Sequence, residues 1–389
     1  MPSIIRISED ESFRALLAGA LLYTIGPAAI LLMPMIVGVY IDELGFTNKE
    51  AGFLASAEAM GMAIASILGL FWIRKLNWHY VAFIGLVTSM LANFAATEIN
   101  SFIPMIFCRF LASVSAGTAF AVSIASLGEQ REPERAYGVG LAVQTALLIL
   151  MLALSSTIIN RWGIDGLFSM LALLSLLVAL PVVCLPKRSE KGQQPELLKT
   201  SNNILNTGSI MLVLLATLVH FIGTVGFWTY LERIADMAGH STALIGTVLA
   251  LALGAGMLGG SVAAWLSDRF GFAWPFAIST VFLVISVALA VGDINVLLFA
   301  ISAIVFDFMW VFANAYQIAL VARLDTGGRF VVLVPAAQGI GAMAGPAIAA
   351  VFIQGDYYLP VNIMAIICFI FSLFLFLIVL PKFKNSGTT

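Results

Sequence analysis

An all-α integral membrane protein, with twelve transmembrane helices in two pseudo-symmetric bundles of six, is the fold class this chain predicts. Three observations carry it. The chain is 61% hydrophobic and only 10% charged, with mean hydropathy +1.03, whereas soluble domains hold roughly 25% charged residues. Its apolar stretches recur at the length of helix, about 20 residues, that crosses a bilayer core of about 30 Å. The second half also echoes the first at an offset of 194 positions: Gly45-Phe46-Thr47…Gly52 returns as Gly239-His240-Ser241…Gly246, and Arg135…Gln144 as Arg329…Gln338.

In chain order, span 1 (residues 13–40) contains Gly26-Pro27 and Pro34, where proline removes helical donors and an interruption is expected. Span 2 (50–73) is preceded by Thr47-Asn48-Lys49-Glu50, whose spacing is that of a capping box. Spans 3 (78–97), 4 (102–128), 5 (136–159) and 6 (165–185) complete the first bundle. A polar stretch, Pro186 to Thr207, with Lys187, Arg188, Lys191 and Lys199, divides the chain six spans against six. Residues 1–185 are thus expected to form an N-terminal bundle, 186–206 a cytoplasmic linker and 207–389 a C-terminal bundle. The second set is span 7 (207–231), 8 (243–266), 9 (273–291), 10 (295–322), 11 (330–353) and 12 (360–380). Gly223 and Gly226 loosen span 7, the counterpart of the interrupted span 1. Breaks at corresponding places in two repeats point to a midplane site, and simple helix packing is the other reading.

Orientation follows from Lys and Arg, which concentrate on the cytoplasmic side. Of the 19 such residues, Lys49, Arg161 and Arg233 fall in loops on one side, Arg109 lies within span 4, and the other fifteen fall on the side of the termini. Both termini are therefore expected in the cytoplasm, with the protein in a bacterial inner (plasma) membrane. Cys108, Cys184 and Cys368 lie in apolar stretches, and His79, His220 and His240 are scattered; neither set suggests a disulfide framework or a metal cage. Gly254-Ala255-Gly256-Met257-Leu258-Gly259 spells a dinucleotide fingerprint but sits inside span 8 with no preceding strand, so it reads as helix packing.

The loop after span 8, Ala264-Trp265-Leu266-Ser267-Asp268-Arg269-Phe270-Gly271, resembles the G-x-x-x-D-R-x-G loop of the major facilitator superfamily, with Ala264 in place of the first glycine. Its first-half copy, Gly69 to Asn77, keeps Gly69 and Arg74 but has Ile73 where that family has aspartate. Arg109 to Gly117 in span 4 is similar to the family's R-x-x-x-G-x-G-x-G pattern, with serines for two glycines. The glycine-proline cluster of drug/proton antiporters is missing from span 5, and a similar cluster, Gly339 to Pro346, appears in span 11. The resemblance covers nearly the whole chain. It implies two halves that rock about a central cavity lined by spans 1, 4, 7 and 10, and a conformational latch made by Asp268, Arg269, Gly271 and Arg74.

Glu58, Arg109, His220 and Asp307 are the ionisable residues deep within spans, where a charge costs about 2.5–3.5 kcal/mol on insertion scales and needs a partner or water. Glu58 and Arg109 lie at equal depth on spans 2 and 4 and are expected to pair. The pair is either a staple between those spans or, through Arg109, positive charge for an anionic substrate. Asp307 and His220 fall near the midplane on spans 10 and 7. Asp307, with His220 and Glu58, is the candidate proton-coupling set, and a hydrogen-bonded packing histidine is the alternative for His220. Arg109, Tyr23, Gln144, Trp228, Trp310, Asn314 and Gln338 are the candidate substrate-binding set. Trp310 and Asn314 share a helical face with Asp307; Gln144 and Gln338 are repeat partners, read as facing each other or the cavity.

The expected function is a secondary active transporter that moves a small solute by alternating access. No cofactor is expected; the driving force would be the proton gradient. Expected partners are a small-molecule substrate and the lipid bilayer, with no nucleic acid, for a chain acting as a monomer. An uncoupled or sodium-coupled carrier is the alternative within the class, and a non-transporting membrane receptor the alternative outside it. No nucleophile–base pair for an intramembrane enzyme and no phosphate-binding loop for a pump is evident.

Overall fold

The computed structural model describes residues 9–188, 204–267, 269–292, 294–325, 330 and 333–386. Its helices are α1 (Glu9–Leu22), α2 (Ile25–Leu31), α3 (Met33–Asp42), α4 (Asn48–Trp72), α5 (Trp78–Thr97), α6 (Phe102–Gly128), α7 (Pro133–Ala179), α8 (Ile204–Met237), α9 (Thr242–Leu266), α10 (Ala273–Leu289), α11 (Val296–Leu324), α12 (Val334–Phe352) and α13 (Leu359–Ser386). Among the described residues there is no strand beyond one isolated bridge, Gln354–Tyr357.

Span 1 is three helices rather than one. α1 ends ahead of Gly26-Pro27, and α2 and α3 meet at Leu32, two residues before Pro34. Met35 N–H donates to Leu32 O at 3.0 Å, so Leu31 O loses its ordinary helical donor. Spans 5 and 6 run together as the 47-residue α7, about 70 Å of helix. Gly163, at φ 57° and ψ −143°, divides it into two passes. A Cβ there would strike the Glu43 carboxylate, which accepts from Ile164 N–H at 2.7 Å and caps the second pass. Ten helices are long and apolar enough to span a bilayer among the described residues. With α7 counted twice and the 17-residue α10 included, the passes number twelve.

Within the first half α4 and α5 each pack on α6, with α5 and α1 against α7; within the second, α9 packs on α11, α8 on α12 and α13, and α10 on α11 and α13. The halves meet through α4 with α12, α7 with α9, and α3 with α8. The 194-residue offset reappears in these contacts. A Cβ on Gly52 would stand 2.8 Å from Pro346 O and 2.5 Å from Ala350 Cβ; one on Gly246 would stand 3.1 Å from Leu152 O and 3.7 Å from Ser156 Cβ. All three residue pairs (52/246, 152/346, 156/350) differ by 194. One helix-on-helix contact is thus built twice, through glycine each time because two backbones approach closely. Helix starts repeat as well. Thr47 closes a full capping box with Glu50 at the head of α4, and Ser241 caps α9.

Candidate functional site

Arg109 sits about two turns into α6 and is 1% exposed. Its Nε and Nη2 donate to Glu58 Oε2 and Oε1 at 3.0 and 2.9 Å, its Nη1 donates to Asn93 Oδ1 at 2.6 Å, and its guanidinium lies 4.6 Å from the Phe168 ring centroid. Glu58 is 2% exposed, and Ser113 Oγ donates to its backbone oxygen. The adjoining cavity, about 20 Å³, has room for about one water. The expected ion pair forms, in the arrangement of the staple between spans rather than that of a group open to solute. Every residue lining that cavity belongs to the first half, and the bonds of the pair staple α4, α5 and α6.

Asp307, on α11, is 2% exposed. Its Oδ2 points at α9, where a Cβ on Gly256 would overlap it. Among the described residues no hydrogen bond or ion pair engages it. His220 is fully buried, with both ring nitrogens unbonded. It is ringed by Phe276 and Phe369, at 6.0 and 5.3 Å between centroids. The expected Asp307–His220 association is therefore corrected: the acid faces α9, the imidazole faces α10 and α13, and they do not meet.

The aromatic and amide candidates divide. Trp310 lies 6.3 Å from Trp228 and 6.1 Å from Phe221, joining α11 to α8. Asn314, one turn further on, accepts from Gln338 Nε2 at 2.8 Å. Gln144 is buried on α7, and no described hydrogen bond joins it to its repeat partner Gln338, which bonds Asn314 instead. Tyr23, half-buried at the end of α1, packs on Phe120 at 4.9 Å. Trp228 is wholly buried, and its Nε1 donates to Leu31 O at 3.2 Å, the carbonyl freed by the α2–α3 break. Trp228 thus bolts one half to the other.

That bolt belongs to a seal at the end of the molecule opposite the chain termini, here the distal end. Arg233 Nη1 and Nη2 donate to Asp42 Oδ1 and Oδ2, each at 2.7 Å, joining α8 to α3. The same guanidinium meets Glu232 at 2.6 and 2.9 Å and Asp236 at 3.5 Å. Tyr230 O–H donates to Asn48 O at 2.8 Å, Tyr358 O–H donates to Asn48 Oδ1 at 2.8 Å, and Asn48 Nδ2 donates to Gly355 O at 2.9 Å. Burial pushes the Tyr358 hydroxyl up to about 12, so it remains a donor. The sequence expectation places Arg233 in an exposed loop, whereas the residue is 5% exposed. The run Glu232-Arg233…Asp236, with both signs one turn apart, was the available signal for this cluster.

Of the latch residues, Asp268 lies outside the described residues, as do Arg329 and most of the linker. Arg269 is exposed and lies over Trp265 at 5.4 Å, Gly271 takes φ 67°, and Arg74 is exposed. Tyr316 O–H donates to Ser267 O at 3.0 Å, tying this turn to α11.

Twelve apolar passes in two repeated bundles, locked at one end by bonds that cross between them, define an integral multi-pass membrane transporter. A profile of the Major Facilitator Superfamily matches residues 15–324, and the chain belongs to that family. Solved structures agree in fold. A mutant form of the nucleoside transporter NupG superposes at TM-score 0.78 with 13% identity, over 95% of this chain and 100% of its own. A D-xylose-proton symporter superposes at TM-score 0.69 with 15% identity, over 93% and 96%. A bacterial homolog of the human lysosomal transporter Spinster, in an inward-facing and occupied conformation, does so at 0.72 with 14% identity, over 97% and 99%.

Proposed function

We propose that this protein is a proton-coupled secondary transporter of a small polar solute, working by alternating access with Asp307 as its proton-binding acid. The observation that carries the reading is Asp307 itself: a carboxyl in the middle of a membrane-spanning helix, 2% exposed, with no described cation or hydrogen-bond donor beside it. Ionised there, it would carry the full cost of an uncompensated charge in a low-dielectric site. Protonation removes that cost, so the occupied, protonated carrier changes state readily and the ionised one does not. On the positive-inside rule the termini lie in the cytoplasm and the distal seal faces outward. The geometry is then that of a carrier closed to the outside. The exchange breaks Arg233–Asp42, Trp228–Leu31 and the Asn48 bonds, while the repeated glycine contacts at Gly52 and Gly246 act as matching fulcra.

Trp310, Asn314 and Gln338 are the proposed substrate contacts, an indole beside two amides suited to a ring bearing hydroxyls or amide-like edges. Nucleosides and D-xylose, the solutes of transporters that share this fold, are the first compounds to test. The experiment is substrate-induced proton influx into proteoliposomes, read with an enclosed pH dye. Asp307→Asn is expected to keep solute counterflow but lose accumulation driven by a pH gradient. Accumulation that still follows the pH gradient in that variant would refute the role of the acid.

A further inference from the structure

α9 and α11 touch closely near the membrane centre and part toward the termini end. Where they touch, a Cβ on Gly259 would collide with the Phe308 backbone, and one on Gly256 with Asp307. Where they part, a cavity of about 540 Å³ opens, lined by Gly260 and Ala264 on α9, Ser267 just past its end, and Ala315, Ala319 and Ala322 on α11. Such a volume holds many waters at about 30 Å³ each, and the small side chains leave it unfilled. Of its innermost residues, Gly260 lies one helical turn from Gly256, which faces Asp307, and Ala315 lies about two turns from Asp307 along α11. Val311 fills that gap. A Cβ on Gly260 would stand 3.2 Å from one Val311 methyl, and one on Gly256 3.1 Å from the other. Ala315, Val311 and Asp307 follow at four-residue steps on one face, each step a rise of about 6 Å.

We propose that this cleft is the route by which protons reach Asp307 from solution at the termini end, with Val311 as the plug that separates them. The inference rests on Asp307 being the proton-binding acid. Among the described residues that line the cleft or pack on that acid from neighbouring helices, Asp307 is the one carboxyl that faces it; Tyr316, which also lines the cleft, donates its hydroxyl to Ser267 O. α9, α10 and α12 contain no ionisable residue. On α8, His220 faces Phe276 and Phe369, while Glu232, Arg233 and Asp236 form the distal cluster. On α11 itself Arg323 lies at the cleft's mouth, 5.9 Å from the Phe272 ring. The remaining gap, about 6 Å along α9 and about 12 Å along α11, is short enough for a chain of a few hydrogen-bonded waters once Val311 shifts.

The test needs no substrate. Full-length protein is placed in vesicles of uniform orientation and treated with dicyclohexylcarbodiimide, which reacts with protonated buried carboxyls; labelling of Asp307 is followed by mass spectrometry after a pH step on one side. Acidifying the termini side alone should accelerate labelling, and acidifying the distal side alone should not. Ala315→Leu with Ala319→Leu, which fill the cleft, should slow the response about tenfold, equivalent to roughly 1.4 kcal/mol of added barrier. Val311→Ala should speed it, an effect opposite in sign to any general loss of fold. If the filled variant responds at the native rate while labelling still follows pH, the route is wrong and the acid stands. Labelling indifferent to pH on both sides overturns the acid as well.

Discussion

Removing one member of the Arg109–Glu58 pair should damage the protein far more than removing both. Each charge is almost completely buried, and Arg109 makes two bonds to Glu58, one to Asn93 and a ring contact with Phe168. Arg109→Met leaves Glu58 without its counter-charge in a site whose cavity holds about one water. Breaking a buried pair from one side costs about 3–5 kcal/mol. At about 2–4 °C per kcal/mol for a folding unit of 150–250 residues, the melting temperature should fall by about 6–20 °C. Glu58→Gln alone strands the guanidinium and should behave similarly. The double variant, Glu58→Gln with Arg109→Met, removes both charges and should recover most of the loss, because a neutral replacement no longer pays desolvation. Thermal unfolding of the four purified proteins supplies the cycle, and uptake into proteoliposomes supplies the functional readout. A double variant that regains stability but transports nothing would refute the argument, since Arg109 would then act on substrate. A fully stable Arg109→Met would refute it from the other direction.

Asp42→Asn removes the bidentate partner of Arg233, and because the Asp42 side chain is 57% exposed, the pair contributes on the surface scale of about 0.2–1 kcal/mol. The distal end should open up to about fivefold more often, seen as a longer component in spin-label distances between Lys49→Cys and Asp356→Cys in a background without native cysteines; an unchanged distribution would remove this pair from the seal. Gly52→Leu and Gly246→Leu should both impair transport by wedging equivalent contacts, Gly52→Leu more severely because its surroundings are tighter, and a silent Gly246→Leu would show that the repeat has no mechanical role. Gly163→Ala places a Cβ at φ 57° against the Glu43 carboxylate, so a thermal shift equivalent to about 1 kcal/mol or more is expected, with an unshifted melting curve counting against that cap.

The architecture was legible because lipid imposes long apolar helices, and because duplication leaves matched glycines and caps such as Gly52/Gly246 and Thr47/Ser241. Depth along a helix was legible too, from the rise per residue, and it placed Glu58 opposite Arg109. What could not be read was azimuth. His220 and Asp307 have comparable depth but project toward different neighbours, a matter of rotation about α8 and α11 that an apolar sequence hardly records. Arg233 was misplaced for a related reason: near the end of a span, a charge beside polar residues reads as loop whether it faces water or a partner helix. Trp228 shows a third limit, since its acceptor, Leu31 O, exists only because Pro34 reorganises the backbone nearby.

The repeat duplicates the fulcra but not the charges, and this asymmetry assigns different work to the two halves. Asp307 corresponds, at the 194-residue offset, to Ser113. Both occupy the same interface, α11 on α9 in one half and α6 on α4 in the other. Ser113 donates to Glu58 O and, with Arg109, Glu58 and Asn93, ties its helices together. Asp307 faces a glycine and has no described partner. The Arg109 position maps to Ala303 and the Asn93 position to Val287, so nothing in the second half replaces the staple. A half braced by buried hydrogen bonds resists internal rearrangement, whereas one whose α9–α11 contact rests on glycine and a lone acid can alter its spacing when that acid gains or loses a proton. On the mechanism proposed above, the first bundle would move as a rigid body and the second would couple that motion to the proton.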